Sequence, residues 1–159
     1  MSAKKTALIT GVTGQDGAYL AKLLLEKNYR VVGALRRAST LNLPRLAALN
    51  IDRDVELQTL DVQDLTSIVR MIETIQPDEI YNLSGQSSPQ ASFQQPLYTG
   101  ETSGLGTLRL LEAIRLMNAR ARFYQASSSE IFGEAQGDMQ NETTDFRPKS
   151  PYGVAKLYA

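Results

Sequence analysis

The stretch Thr6-Ala7-Leu8-Ile9-Thr10-Gly11-Val12-Thr13-Gly14-Gln15-Asp16-Gly17 decides how the rest of the chain is read. A short apolar run ends in a glycine turn, as a strand buried on both faces does. From Gly17 to Asn28 the apolar positions Ala18, Leu20, Ala21, Leu24 and Leu25 then fall at helical spacing, with Asn28 as the stop. Between that strand and that helix lie three glycines in the pattern G-x-x-G-x-x-G, a close relative of G-x-G-x-x-G. Glycine serves there for a tight turn and for close approach of the backbone to a pyrophosphate seated at the helix N-terminus. An ordinary glycine-rich turn has the same composition, but its place between a strand and an amphipathic helix favours the pyrophosphate.

The same alternation continues outward. Tyr29–Leu35 reads as a second strand and Val55–Leu60 as a third; Asp64 then caps a helix running through Ile68, Val69, Ile72 and Ile75, stopped before Pro77. Glu79–Leu83 is a fourth strand, followed by a polar loop from Ser84 to Gln95. Thr102–Asn118 is a helix with Leu105, Leu108, Leu111, Ile114 and Met117 on a broad apolar face. Arg122–Ser127 is a fifth strand, residues 133–149 form a surface loop, and Ser150-Pro151 opens a last helix, with Ser as N-cap and Pro at the first helical position. Five strands alternating with helices imply parallel β-α-β units and a Rossmann-like, doubly wound α/β sheet in one domain over residues 1–159. The chain stops at Ala159, about two turns into its last helix, and so reads as a sheet cut short after the fifth strand.

Composition narrows the chemistry. The chain has 159 residues, 42% hydrophobic and 21% charged, which suits one domain with a real core. Seventeen basic residues balance seventeen acidic ones, so nothing calls for nucleic acid or an anionic membrane as partner. There is no cysteine and no histidine, which excludes disulfides, thiolate nucleophiles, the Ser-His-Asp triad and nearly all zinc chemistry. Catalysis must then rest on Tyr, Lys, carboxylates, hydroxyls or a borrowed cofactor, with no metal. The basic start Met1–Lys5 leads only into Ala7-Leu8-Ile9 before Gly11, short of a secretory apolar region, and no stretch is long enough to span a bilayer. The expectation is a soluble, cytoplasmic protein.

Three further motifs bear on function. Arg36-Arg37 follows the second strand, where an NAD-binding fold places an acidic residue and Arg accommodates a 2′-phosphate; solvated surface arginines are the alternative. Tyr152-Gly153-Val154-Ala155-Lys156 puts an ammonium four residues from a phenol on one helix face, where a cation favours phenolate and a general base. By itself that spacing arises by chance in many chains. Ala126-Ser127-Ser128-Ser129-Glu130 sets hydroxyls and a carboxylate at the carboxyl end of the fifth strand, where open α/β sheets bind ligands; a capped polar turn is the alternative.

Together TGVTGQDGAYLAKLL, the Arg pair, NLSGQSS, GLGTLRLLEAIR, FYQASSSEIFG and SPYGVAK resemble the GDP-mannose 4,6-dehydratase family. That family is a branch of the extended short-chain dehydrogenase/reductases that act on nucleotide sugars. The resemblance runs from Lys5 to Tyr158. It implies that Gly11, Val12, Thr13, Gly14, Gln15 and Asp16 cradle the pyrophosphate of NADP, and that Arg36 and Arg37 meet its 2′-phosphate. Asp61 and Val62 would flank the adenine; Leu83, Ser84, Gly85, Gln86 and Ser87 would line the ribose and nicotinamide side, with Tyr98 nearby. Ser128, Glu130, Tyr152 and Lys156 would be the catalytic group, Lys156 also touching the cofactor.

The implied reaction converts GDP-mannose to GDP-4-keto-6-deoxymannose with no net redox change. Tyr152, helped by Lys156, takes the 4-hydroxyl proton as hydride passes from C4 to NADP⁺. Glu130 takes the C5 proton, water leaves from C6, the hydride returns to C6, and Ser128 holds the 4-oxygen. The resemblance also implies a homo-oligomer at full length. Departures from the family pattern are Ser128 for Thr, Ser84-Gly85 for Ala-Ala, Thr102-Ser103 for Val-Asp, and a shorter segment after Arg37. Two other functions remain open: another NAD(P)-dependent nucleotide-sugar epimerase or reductase, and a non-catalytic NADP-binding fragment.

Overall fold

The computed structural model describes residues 4–39, 43–134 and 139–159. Met1–Ala3 of the basic start and residues 135–138 of the surface loop lie outside them. The chain forms two compact units, Met1–Ser84 with Arg109–Ala126, and Gly85–Leu108 with Ser127–Ala159.

The first unit holds all five expected strands, with ends shifted by a residue or two. They are β1 (Thr6–Thr10), β2 (Arg30–Leu35), β3 (Glu56–Thr59), β4 (Glu79–Asn82) and β5 (Arg122–Gln125). All pair in parallel, in the order β3-β2-β1-β4-β5. Every residue of β1 is buried, so its alternating side chains feed two cores rather than one. Leu8 joins Val32, Ile80, Ile68 and Ile72 in the first cluster, while Ala7 and Ile9 join Ala18, Ala21, Leu24 and Leu46 in the second. Burying each of these larger side chains stabilises the fold by about 1.5–3 kcal/mol. Glu79 is buried at the start of β4, where its carboxylate accepts from the hydroxyls of Tyr81 (2.7 Å) and Tyr29 (3.2 Å) and pairs with Lys5 (3.5 Å).

Helices α1 (Gln15–Glu26), α2 (Pro44–Ala48) and α3 (Leu65–Ile75) belong to the same unit. Asp64 caps α3 by accepting the Thr66 N–H at 3.0 Å, and Gln76 ends it with φ 48°. Asn28, the expected stop of α1, takes φ 64°. Helix α2 was not legible beforehand: it spans five residues, too few for a periodic pattern to emerge.

In the second unit the expected polar loop after β4 is partly helical. It contains α4 (Pro89–Gln94) and runs on into α5 (Pro96–Thr99). A π-helical turn, Gly100–Leu105, then leads into α6 (Gly106–Leu116), whose residues from Arg109 onward belong to the first unit. The buried face of α6 also differs from the expected one. Leu110 and Ala113 are fully buried, whereas Leu108 and Leu111 stand 46% and 42% exposed. A 3-10 turn (Ser129–Ile131) and α7 (Pro151–Tyr158) complete the unit, and α7 packs on the π turn, the 3-10 turn, α4 and α5. Among the described residues no helix is long and apolar enough to cross a membrane.

Candidate active site

The strand order reverses between β1 and β4, and in doubly wound sheets ligands settle at that switch point, beyond the carboxyl ends of the strands. The glycine loop leaves β1 there. Gly11 takes φ +71°, and a Cβ on it would lie 2.8 Å from the Leu83 carbonyl oxygen. A Cβ on Gly17 would collide with the Gly11 carbonyl and stand 2.8 Å from the Val12 Cα. The loop is closed by Gly14 N–H donating to the Gly11 oxygen at 3.0 Å. Gly14 is the N-cap of α1 and has no side chain to occupy the first-turn N–H groups. A turn that needs glycine at Gly11 and Gly17 and ends at a helix N-terminus without a side-chain cap fits a pyrophosphate.

The side chains of the loop divide by task. Val12 is fully buried, so it offers the loop its main chain and the core its side chain. Gln15 and Asp16 are exposed at the start of α1. Thr13 lends its carbonyl to Arg45, whose Nη1 donates at 3.2 Å from α2. Arg45 was missed in the sequence because α2 was. Arg36 and Arg37 are exposed just past β2. Asp61 accepts the Gln63 N–H at 2.9 Å, while Val62 is only 6% exposed and packs in the core.

A buried polar network ties the ends of three strands together. Thr10 Oγ1 donates to Asn82 Oδ1 at 2.6 Å, Ser84 Oγ donates to the same oxygen at 2.8 Å, and Ser84 N–H donates to Thr10 Oγ1 at 3.2 Å. Asn82 Nδ2 donates to Gln125 Oε1 at 2.7 Å. Asn82 is 2% exposed, so these bonds are made away from water and fix its amide orientation. The signal available in sequence was an Asn between Tyr81 and Leu83 at the carboxyl end of β4. Leu83 packs against the second core cluster and Ser84 closes the network, so both expected wall residues are held from beneath.

The second unit gathers the expected catalytic residues around α7. Ser150 Oγ accepts the Gly153 N–H at 3.0 Å, and Pro151 fills the first helical position. Tyr152 and Lys156 are both buried, with the Lys156 Nζ 5.9 Å from the centre of the Tyr152 ring. Burial pushes the Lys156 ammonium below its usual pKa. A Cβ on Gly153 would lie 2.7 Å from the Glu130 carbonyl oxygen, so glycine beside Tyr152 lets α7 lie against the turn that carries Glu130. Ser128 caps that turn, its Oγ accepting the Glu130 N–H at 3.2 Å. Gly85, Gln86 and Ser87 precede α4, and Tyr98, half-buried in α5, accepts the Thr102 hydroxyl on its carbonyl at 2.8 Å. The cradle residues thus group in one unit, and Gly85–Ser87, Tyr98, Ser128, Glu130, Tyr152 and Lys156 in the other. Among the described residues no group of three or more metal-ligating side chains gathers.

A parallel sheet with a glycine loop at its switch point, and a Tyr-x-x-x-Lys helix after the fifth strand, define a Rossmann-type protein of the short-chain dehydrogenase/reductase kind. Solved structures agree. A UDP-glucose 4-epimerase from Thermus thermophilus in complex with NAD has TM-score 0.80 and 27% identity, over 95% of this chain and 47% of its own. A sequence profile described as GDP-mannose 4,6 dehydratase matches residues 8–159, and the chain belongs to that family. It is 51% identical over 166 residues to GDP-mannose 4,6-dehydratase of Sinorhizobium fredii, covering 100% of this chain and 47% of that one. Against GDP-mannose 4,6 dehydratase of Homo sapiens it is 48% identical over 165 residues, covering 98% and 44%. The chain therefore spans a little under half the length of the curated relatives it matches.

Proposed function

We propose that this protein dehydrates GDP-mannose to GDP-4-keto-6-deoxymannose, using NADP held in the glycine cradle. The observation that carries the proposal is the packing of α7 against the Glu130 turn through Gly153, which brings a buried Tyr-Lys pair together with a carboxylate-bearing turn. Bound in the cradle, NADP would supply the hydride acceptor and donor. The protein supplies placement and proton transfer. Tyr152 Oη takes the proton of the sugar 4-hydroxyl, and the Lys156 ammonium offers a counter-charge nearby. The Glu130 carboxylate takes the C5 proton, made acidic by the new 4-ketone, and passes it to the 6-hydroxyl, which leaves as water. Tyr152 then gives the proton it took from the 4-hydroxyl to C5, which completes the 6-deoxy product and restores the phenolate. The Ser128 hydroxyl still has its proton to donate and holds the 4-oxygen, because its Oγ serves the Glu130 N–H only as acceptor. Arg36 and Arg37 select NADP over NAD through the 2′-phosphate. A simple epimerase or reductase needs no base for C5, so Glu130 favours dehydration over that alternative.

The test is mass spectrometry of GDP-mannose, dTDP-glucose and CDP-glucose incubated with the protein and catalytic NADP⁺. The expected result is loss of one water from GDP-mannose alone, with turnover reduced about 10²–10⁴-fold in Tyr152→Phe and Glu130→Gln. NADPH binding with no water lost from any sugar would leave a cofactor-binding protein instead. NADPH should bind more tightly than NADH, and the Arg36→Ala, Arg37→Ala double variant should bring the two affinities together. Sedimentation of the full-length protein tests the proposed homo-oligomer.

A further inference from the structure

Two of the departures from the family pattern, Gly85 and Ser103, meet in the structure. Gly85 takes φ +149°, and a Cβ on it would stand 2.8 Å from Ser103 Oγ, the next nearest atom being Ser103 Cβ at 3.5 Å. That same hydroxyl accepts the Gln86 N–H at 3.1 Å and donates to the Gln86 carbonyl at 3.2 Å. We propose that Ser103 is a positioning residue for the nicotinamide-side wall, and that Gly85 is its required counterpart, the pair setting the backbone course of residues 85–88. The proposal rests on the reading that Gly85–Ser87 line the cofactor.

One side chain that satisfies both main-chain groups of a single residue fixes the orientation of the two peptide units that flank it. Ser103 is 1% exposed, so water does not compete for either bond. The Gln86 side chain then repeats the device one step on, its Oε1 accepting the Ser88 N–H at 2.5 Å and its Nε2 donating to the Ser88 carbonyl at 2.9 Å. Ser88 in turn caps α4, its Oγ accepting the Ala91 N–H at 3.2 Å. The course of the wall is therefore set step by step from Ser103 to the start of α4.

Ser103 stands on the π turn Gly100–Leu105. Its neighbour Gly104 faces Ala155 and Tyr158 of α7, the helix that carries Tyr152 and Lys156. One turn of backbone thus gauges both the wall and the Tyr-Lys helix. π turns concentrate at functional sites for this reason: the extra residue re-aims side chains that an α-helical ladder would point elsewhere.

Amide hydrogen exchange of the full chain without cofactor tests the clamp itself. In Ser103→Ala, exchange at Gln86 should rise about five- to tenfold, the size of one lost hydrogen bond, while α7 stays as protected as before. Gly85→Ala should lower Tm, and the Gly85→Ala, Ser103→Ala double variant should recover part of the loss, because the nearest remaining atom is then at ordinary contact distance. Unchanged exchange at Gln86, or a double variant less stable than Gly85→Ala alone, would overturn the clamp. A second readout concerns the wall. Ser103→Ala should weaken NADPH and dim its bound nicotinamide fluorescence, yet leave adenosine 2′,5′-bisphosphate, which lacks nicotinamide, binding as before. If NADPH gives no exchange protection to residues 83–88 of the parent protein, the cofactor-wall reading fails and the positioning role falls with it, although the clamp is still seen without cofactor.

Discussion

The glycine loop after β1 and the stretch from Ser84 to Leu105 fix their backbones by opposite means. In the loop, main chain crowds main chain: Gly11 lies against the Leu83 carbonyl and Gly17 against the Gly11 carbonyl, so the absence of side chains is the specification. In the later stretch, hydroxyls and an amide hold the chain: Ser84 on Asn82, Ser103 on Gln86, Gln86 on Ser88. The first kind of constraint writes itself into a sequence as glycine at fixed spacing. The second depends on which polar side chains meet after folding.

The comparison can be broken most forcefully at Gly17. Gly17→Ala puts a Cβ into two backbone positions that have no flexible end to yield, so we expect NADPH binding to be abolished and stability to fall by about 3 kcal/mol or more in urea unfolding. A stable Gly17→Ala protein that still bound NADPH would show that the loop is not limited by its backbone.

A smaller effect is expected where side chains hold the structure. Thr10→Val keeps the shape but takes one donor from buried Asn82 Oδ1 and the acceptor from Ser84 N–H, at about 1–3 kcal/mol. Urea unfolding measures it, and no change in midpoint would mean that the network adds nothing to stability.

Glu79 sharpens the comparison as a control at the opposite end of β4. The hydroxyl of Tyr81, then that of Tyr29 and the Lys5 charge, hold its carboxyl below the ordinary 4.5. The unfolded chain therefore takes up this proton first as pH falls. The stabilisation is fully present above about pH 4.5 and is lost as pH drops through the lower folded value. Glu79→Gln should remove that acid slope and leave NADPH affinity at pH 7 unchanged. Tyr81, raised to about 12 by burial and by its bond to Glu79, stays protonated throughout. Thermal unfolding across pH 3–7 reads the difference.

What was legible in the sequence follows the same division. The strands, α1, the Asp64 cap of α3 and the Ser150-Pro151 start of α7 each rest on a local rule, and the structure has them all. Of the face expected for α6, Ile114 and Met117 do pack against the first cluster, while Leu108 and Leu111 do not, for a geometric reason. Leu105, Leu108, Leu111, Ile114 and Met117 are spaced by three, and each such step falls about 60° short of a full turn, so the row winds around the helix. Leu110 and Ala113 lie on the face that the sheet in fact covers. Helices α4 and α5 are six and four residues long and carry no periodic signature. The π turn has none either, since it differs from an α-helix only in which carbonyl each N–H reaches.

That turn has a consequence for how the chain can change length. A π turn is a helix holding one residue more than its ladder requires, and the surplus is a standing local instability. Deleting one residue within Gly100–Thr102 would let the helix regularise, and by that measure the segment should become more stable. It would also swing whatever precedes the deletion by about 100° relative to Ser103 and Gly104. Substitutions here change one contact at a time, whereas a single deletion changes them all together. Between Pro96 and Gly106, the number of residues therefore sets the geometry as much as the identity of any one of them does.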